Sequence, residues 1–414
     1  MRRPPPSLYA FCLPLLAAPV LAQAPADPLV TRMASVLEAS MPELIAFRRD
    51  LHQHPELSGA ETRTAARVAE RLRVLGFEVR TGVGGQGVVA LLRGTRPGPV
   101  VAFRADLDAV RSDEPDPVPF ASLTPGVRHI CGHDIHTTVG VALATAFAAV
   151  RSELPGAVLL VFQPAEERAT GARAMLADDV FSLARPVAIY AVHTAPLEVG
   201  TLGVAHGPLL AGRDRVSVTL EGEGDLDAAL AALADALRRI GTITPAEARG
   251  TVPPDFVLVD LAPPQAEAAG HRELMATLSI ASRTARAAAR RQVEAAARRV
   301  ERPGVRVSVS YRERVIAGVT NDSLLTSRGE QAIARSLGAA AVVPLGVVSP
   351  RFSEDFGSFQ EIVPGAMFLL GVSNRERGWV GMPHSAGYVA DEAAIRHGGL
   401  ALAAVLLDRL RRAD

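Results

Sequence analysis

The order of strand-like and helical stretches switches near residue 208 and switches back near residue 317, and this double switch leaves few architectures open. From residue 27 to about 71 the apolar spacing is helical. Strand-like runs follow at 77–83, 87–92 and 99–103, then a helix over 137–150, a strand at 156–162, a helical stretch at 166–177 and a strand at 186–192. Strands alternating with helices predict an α/β fold with a largely parallel or mixed sheet covered on both faces. Within 208–317 the order is instead a strand (213–220), a helix (225–240), two strands (256–261 and 273–280), a helix (284–300) and a strand (305–311). That is the split βαβ order of a ferredoxin-like α+β unit. After about Gly318 the α/β pattern resumes and closes in a helix over 391–412. The expected organisation is one α/β domain in two segments, 27–207 and 318–414, with an α+β domain inserted at 208–317.

The first residues carry a different message. Arg2 and Arg3 precede an apolar stretch from Leu8 to Leu21, and small residues close it at Ala22 and Ala24. This three-part pattern predicts a secretory signal peptide at 1–22, cut after Ala22, and hence export, periplasmic in a Gram-negative cell. The stretch is too short, and too interrupted by Pro14 and Pro19, for a membrane anchor. Cleavage removes Cys12 and leaves Cys131 as the only cysteine, so no intrachain disulfide is expected. The 44 basic and 44 acidic residues cancel, which argues against nucleic acid or an anionic membrane as partner.

Chemistry-bearing residues fall in five places. The densest is His129-Ile130-Cys131-Gly132-His133-Asp134-Ile135-His136, which offers imidazoles, a thiol and a carboxylate just before a helix. Imidazole and thiolate suit zinc and neighbouring transition metals, and the glycine lets the backbone bend between two ligands. Next is Phe162-Gln163-Pro164-Ala165-Glu166-Glu167, where adjacent carboxylates diverge after a strand. One can bind metal while the other takes a proton from water, a division that suits hydrolysis. His193 ends an apolar strand, His384 precedes the final helix, and Asp106 and Asp108 close a third strand. Each of these, taken singly, is better explained by a core histidine or a turn aspartate. Four of the five places sit at the carboxyl ends of strands, where open α/β sheets build sites, and His384 is within reach of the same rim.

Taken in order, these motifs resemble the metallo-amidohydrolase family of hippurate hydrolases, N-acyl amino acid amidohydrolases and auxin–amino acid conjugate hydrolases, within the aminoacylase and carboxypeptidase G group of metallopeptidases. The likeness spans nearly the whole mature chain. It includes Arg48 through Leu57, Arg104 through Ala109, the Cys131 cluster, Gln163 to Glu167, His193 with Pro196, Ser353-Glu354-Asp355-Phe356, Pro364-Gly365 and His384. The resemblance implies a metallo-exopeptidase catalytic domain with the insert as lid or dimerisation domain, a homodimer through that insert, and a small-molecule amide substrate. It also implies two divalent metal ions, zinc first and manganese, nickel or cobalt as alternatives, held by Cys131, His133, Glu167, His193 and His384. Glu166 falls on the general base, Asp106, Asp108 and His136 on supporting positions, and Arg283 and Asn321 on an arginine and an asparagine of the family. His52 and His54 read as structural.

The insert departs from that pattern. The family's Gly-Gly-His segment after the first inserted strand is missing; Leu220-Glu221-Gly222-Glu223-Gly224 runs straight into Asp225. The family's Asn-Val-Ile-Pro stretch is unrecognisable too; Gln265–His271 stands in its place, and His271 reads better as a surface histidine than as a substitute. The expectation is therefore an active hydrolase of altered specificity, with a catalytically impaired peptide or amino-acid binding protein as the alternative.

Overall fold

The computed structural model describes residues 27–249, 252–263, 269–346 and 350–412. The expected signal segment, 1–22, lies outside the described residues. The first helix, Pro28–Gln53, starts where the Asp27 side chain accepts a hydrogen bond from the Leu29 amide, and it buries a stripe of Leu29, Met33, Leu37, Leu44 and Leu51. The single helical stretch read from the sequence is in fact two helices. Pro55 has no amide proton and disfavours helical geometry at the residue before it, so the chain breaks at His54 and restarts as Thr62–Val74.

Eight strands form the main sheet. In spatial order they are Glu78–Val83, Gly87–Arg93, Pro155–Gln163, Arg96–Asp106, Ala188–Glu198, Gly365–Ser373, Leu202–Val204 and Val342–Pro344. The central four, from Pro155–Gln163 to Gly365–Ser373, run parallel; Glu78–Val83, Gly87–Arg93 and Leu202–Val204 add antiparallel pairings, and Val342–Pro344 runs parallel to Leu202–Val204 in this mixed sheet. Side chains alternate between two cores. Val88, Ala90, Val101, Phe103, Val158 and Leu160 enter one, and Val89, Leu91, Ala102, Leu159 and Val161 the other. Both faces are therefore covered, as the near-continuous apolar runs require. Helices Pro28–Gln53, His133–Ala149 and Ala393–Leu410 lie together over the first core. His133–Ala149 is buried almost all round, which explains why apolar residues fill it without a polar face.

The second sheet has four antiparallel strands in the order Val257–Leu261, His271–Ile280, Gly212–Glu221, Arg306–Ile316. With helices Leu226–Arg238 and Arg283–Val300 on one face, this is the ferredoxin-like connectivity. The even-numbered positions Val216, Val218 and Leu220 point to those helices and a core of their own. Arg213 and Arg215, on the opposite face of the same strand, line a cleft shared with the main sheet.

Candidate active site

The parallel strands carry their functional residues to one level. Asp106, the end of its strand, pairs in register with Gln163, and His193 pairs with Leu369 inside strands that run a few residues further, so these positions share one rim. His133 opens the helix that follows the first of these strands. The preceding Gly132 has a φ of 93°, and a Cβ there would collide with the Tyr388 hydroxyl and Thr194. Glycine is thus needed between Cys131 and His133 for both conformation and space.

After Gln163 the chain does not enter a helix at 166, as the sequence reading expected, but turns first. Ala165 and Ala169 have φ of 51° and 52°, and the helix is only Gly171–Ala177. Asp108 shapes this turn. Its two oxygens accept the amides of Glu166 at 3.2 Å and Glu167 at 3.0 Å, and Ser58 donates to it at 2.6 Å. Glu61 accepts the Ala165 amide at 2.8 Å. Non-glycine residues held at positive φ cost energy, and here buried hydrogen bonds hold them so that two adjacent carboxylates face the cleft.

Two imidazoles are anchored by their Nδ1 atoms. His133 Nδ1 lies 2.8 Å from the Asp108 carbonyl oxygen, and His193 Nδ1 lies 2.8 Å from that of Thr194. A carbonyl only accepts, so both Nδ1 atoms carry the proton, and Nε2 is the free position. His193 Nε2 is 3.4 Å from the Cys131 sulfur. His133 Nε2 has no hydrogen-bond partner and lies 3.6 Å from Asp106, 3.8 Å from Glu167 and 3.9 Å from Glu166. His384, itself at φ 58°, brings Nε2 to 3.3 Å from Glu167 Oε1, a buried oxygen without a hydrogen bond. The donor atoms of Cys131, His133 and His193 lie within 4.8 Å of one another, as do those of Cys131, Glu167 and His384, and those of His133, Glu166 and Glu167. His136 is different. Its Nδ1 meets Asp106 at 2.7 Å and its Nε2 accepts the Thr194 amide at 2.7 Å, so neither nitrogen is left for a metal.

The electrostatics of this cluster fit a cation. Burial, with Glu167, Glu166 and Asp106 nearby, pushes the Cys131 thiol well up. Burial and the neighbouring Glu354 and Glu167 push Glu166 well up. Burial opposes a charge on His133, yet Asp106, Asp108 and Glu167 outweigh it and lift the imidazole to about 10. Burial and the adjacent His136 lower His193 to about 4, which leaves it neutral. Buried carboxylates and a thiol without enough positive charge demand either protons or a metal. Two Nε2 atoms, a thiol and an orphaned carboxylate oxygen form a donor set suited to divalent transition metals once a cation displaces the protons.

Residues 102–408 match the family model described as Peptidase family M20/M25/M40. The chain belongs to this family. Among its relatives, a Synechocystis protein named "Probable hydrolase" is 34% identical over 389 residues, spanning 89% of this chain and 96% of its own length. The N-acetyldiaminopimelate deacetylase of Bacillus pumilus is 32% identical over 370 residues, 85% of this chain and 94% of its own. A Bacillus subtilis crystal structure, described as a dinuclear metal binding peptidase from the M20 family, superposes with a TM-score of 0.75 at 30% identity, covering 89% of this chain and 98% of that one. M20 membership bears out the resemblance read from the motifs and makes the chain a hydrolase of amide bonds.

Within this M20 frame, two expected residues are not among those that line the cleft. Asn321 donates to the carbonyls of Ala205 and Met367 and accepts the Met367 amide, so its side chain is consumed in joining strands. Arg283 donates to the Gln360 carbonyl at 3.0 Å. His271 also fails to reach. It pairs with Glu221 at the far end of the Gly212–Glu221 strand, eight residues from Arg213, a span of about 27 Å at 3.3–3.4 Å per residue. His52 bridges Asp134 at 2.8 Å and Asp116 at 3.0 Å, and His54 meets the Asp50 carbonyl at 2.9 Å, both outside the donor cluster.

The sequence reading singled out no role for Arg104, Gln163, Glu354 or Asp355. Arg104 is fully buried and reaches Asp106 at 2.7 Å, Gln163 at 2.8 Å, Glu354 at 2.9 and 3.1 Å and Asp355 at 3.3 Å. Only the family likeness of the Arg104 and Ser353–Phe356 stretches hinted at them.

Proposed function

We propose that the chain is an exported, metal-dependent amidohydrolase that cleaves N-acyl amino acids or small peptide-like amides. The observation that carries this is the convergence of Cys131, His133, Glu167, His193 and His384 in one cleft with Glu166 beside them. These five residues would hold two divalent cations, as in the dinuclear relative. When bound, the cations supply Lewis acidity to the attacking water and to the scissile carbonyl. Cys131, with imidazole nitrogens around it, favours zinc, and manganese, nickel and cobalt are the alternatives.

The chain's own residues do the rest. Asp108 fixes the turn and the His133 ring, so the two glutamates diverge. Glu166 takes a proton from the attacking water at its carboxylate and returns it to the leaving nitrogen. Asp106 and His136 support the ligands from behind. The ferredoxin-like sheet acts as a lid over the cleft and as the surface through which two copies pair.

Metal analysis coupled to a panel of N-acyl amino acids and dipeptides tests the reading. We expect close to two equivalents of transition metal and turnover that chelation removes. Loaded protein that binds such amides and hydrolyses none of them would replace the hydrolase with the binding-protein reading. Export has its own measurement: mature protein from a Gram-negative periplasm should begin at Gln23, and an intact Met1 terminus on the functional protein would refute it.

A further inference from the structure

The cleft continues past the donor cluster to a wall of unlike chemistry. Glu166, Glu167, His193 and His384 line one part of the same space of about 500 Å³ that Arg213, Arg215 and Arg351 line at another. Arg213 and Arg215 stand two apart on the Gly212–Glu221 strand, so they share a face. The strand's other face shows the contrast. There Asp214, fully buried, is held by Arg286 at 2.7 Å and Arg290 at 2.7 Å, so those two guanidiniums have their carboxylate. Among the described residues no carboxylate lies within ion-pair distance of Arg213 or Arg215, and Asp260 stands 3.8 Å from Arg351. The buried Nε of Arg213 has no hydrogen-bond partner, while its guanidinium donates to the Arg351 carbonyl. Burial and the like charges of Arg215 and Arg351 pull Arg213 below its ordinary value. Leu210, Ile316 and Phe352 line the same space and add apolar surface to it.

Clustered guanidiniums repel each other unless an anion lies between them, and their forked donors match carboxylates in pairs. We infer that this wall is a substrate subsite that selects amides carrying an extra carboxylate, so that N-acyl derivatives of dicarboxylic amino acids are preferred over those with neutral side chains. The inference rests on the hydrolase reading for which group is cleaved, but not for binding. The Leu210–Ile316–Phe352 surface takes the methylene stem, the arginines take the carboxylates, and the amide is left beside Glu166.

N-acetyl-L-glutamate and N-acetyl-L-glutamine differ in one charge and little in shape, and their ratio tests the subsite. Loaded wild-type enzyme should favour the glutamate derivative in kcat/KM by roughly tenfold or more, as expected for charge-assisted hydrogen bonds. The double variant Arg213→Gln with Arg215→Gln should bring that ratio towards one; each protein is its own control, since both substrates meet the same fold. Calorimetric binding to Glu166→Gln, made with and without the arginine changes, reads the same ratio without turnover. Tight, arginine-dependent binding of the glutamate derivative with hydrolysis of neither substrate would keep the subsite and remove the hydrolase reading. Equal ratios in wild type, or a ratio that the arginine changes leave untouched, would overturn the subsite while the hydrolase reading stands.

Discussion

Glu166→Gln is expected to lower kcat by roughly 10²–10⁴-fold, the range for losing a general base, with metal content unchanged. The geometry separates this residue from its neighbour. The Glu166 amide is pinned by Asp108 at 3.2 Å, and its side chain lies 3.9 Å from His133 Nε2. Glutamine keeps the shape and the pinned amide, so the turn and the five donors stay in place, but its side chain cannot take a proton at neutral pH. Glu167 carries the orphaned oxygen that faces both His133 and His384. Glu167→Gln should therefore cost metal as well as rate. Single-turnover rates with metal stoichiometry on both variants make the distinction. Full activity in Glu166→Gln, or equal metal loss in the two, would sink the assignment of the base.

The parts of this site that were legible in the sequence are those where one local segment carries several donors. Cys131 and His133 flank a glycine, and Glu166 and Glu167 follow a strand, so short motifs revealed them. Near-continuous apolar runs were enough to place the main-sheet strands up to residue 192, because each is covered on both faces. What stayed hidden is set by long-range contact. Arg104 meets Glu354 across 250 residues, and nothing local to either marks the pairing. The part of the 164–170 turn from 166 onwards read as helix because Glu166 and Glu167 suit a helix start, whereas the groups that hold it, Asp108 and Glu61, are distant in the chain. Arg283 and Asn321 were drawn to the cleft by motif likeness alone, and main-chain partners claimed both. The missing imidazole of the insert was visible as a shortened loop, and the arginine wall facing the same cleft was not, since Arg213, Arg215 and Arg351 come from segments about 140 residues apart that only the fold brings together.

Arg104→Met should destabilise the protein by about 3–5 kcal/mol, the usual cost of removing one member of a buried ionic network. The side chain sits wholly out of solvent, and its donors engage Asp106, Gln163, Glu354 and Asp355. Methionine fills similar volume, so the loss is one of charge and hydrogen bonds rather than of packing. The carboxylates left behind must bind protons or stay uncompensated. Asp355 already shows the tendency: burial, with Arg104 opposing and Glu354 adding to it, raises its carboxyl to about 8. A carboxyl whose native value lies above its unfolded one binds more protons when folded, so stability falls as pH rises through that window and recovers as pH is lowered. The cost of Arg104→Met should accordingly be largest above about pH 8 and shrink towards pH 5. Urea midpoints for wild type and variant across that range, at equal metal content, measure it. Arg104→Lys, which keeps the charge and loses the fork, should fall between the two. A methionine variant within about 1 kcal/mol of wild type at every pH would mean that the three carboxylates are neutral in the native state, and that the guanidinium is a guest of this network rather than the charge that balances it.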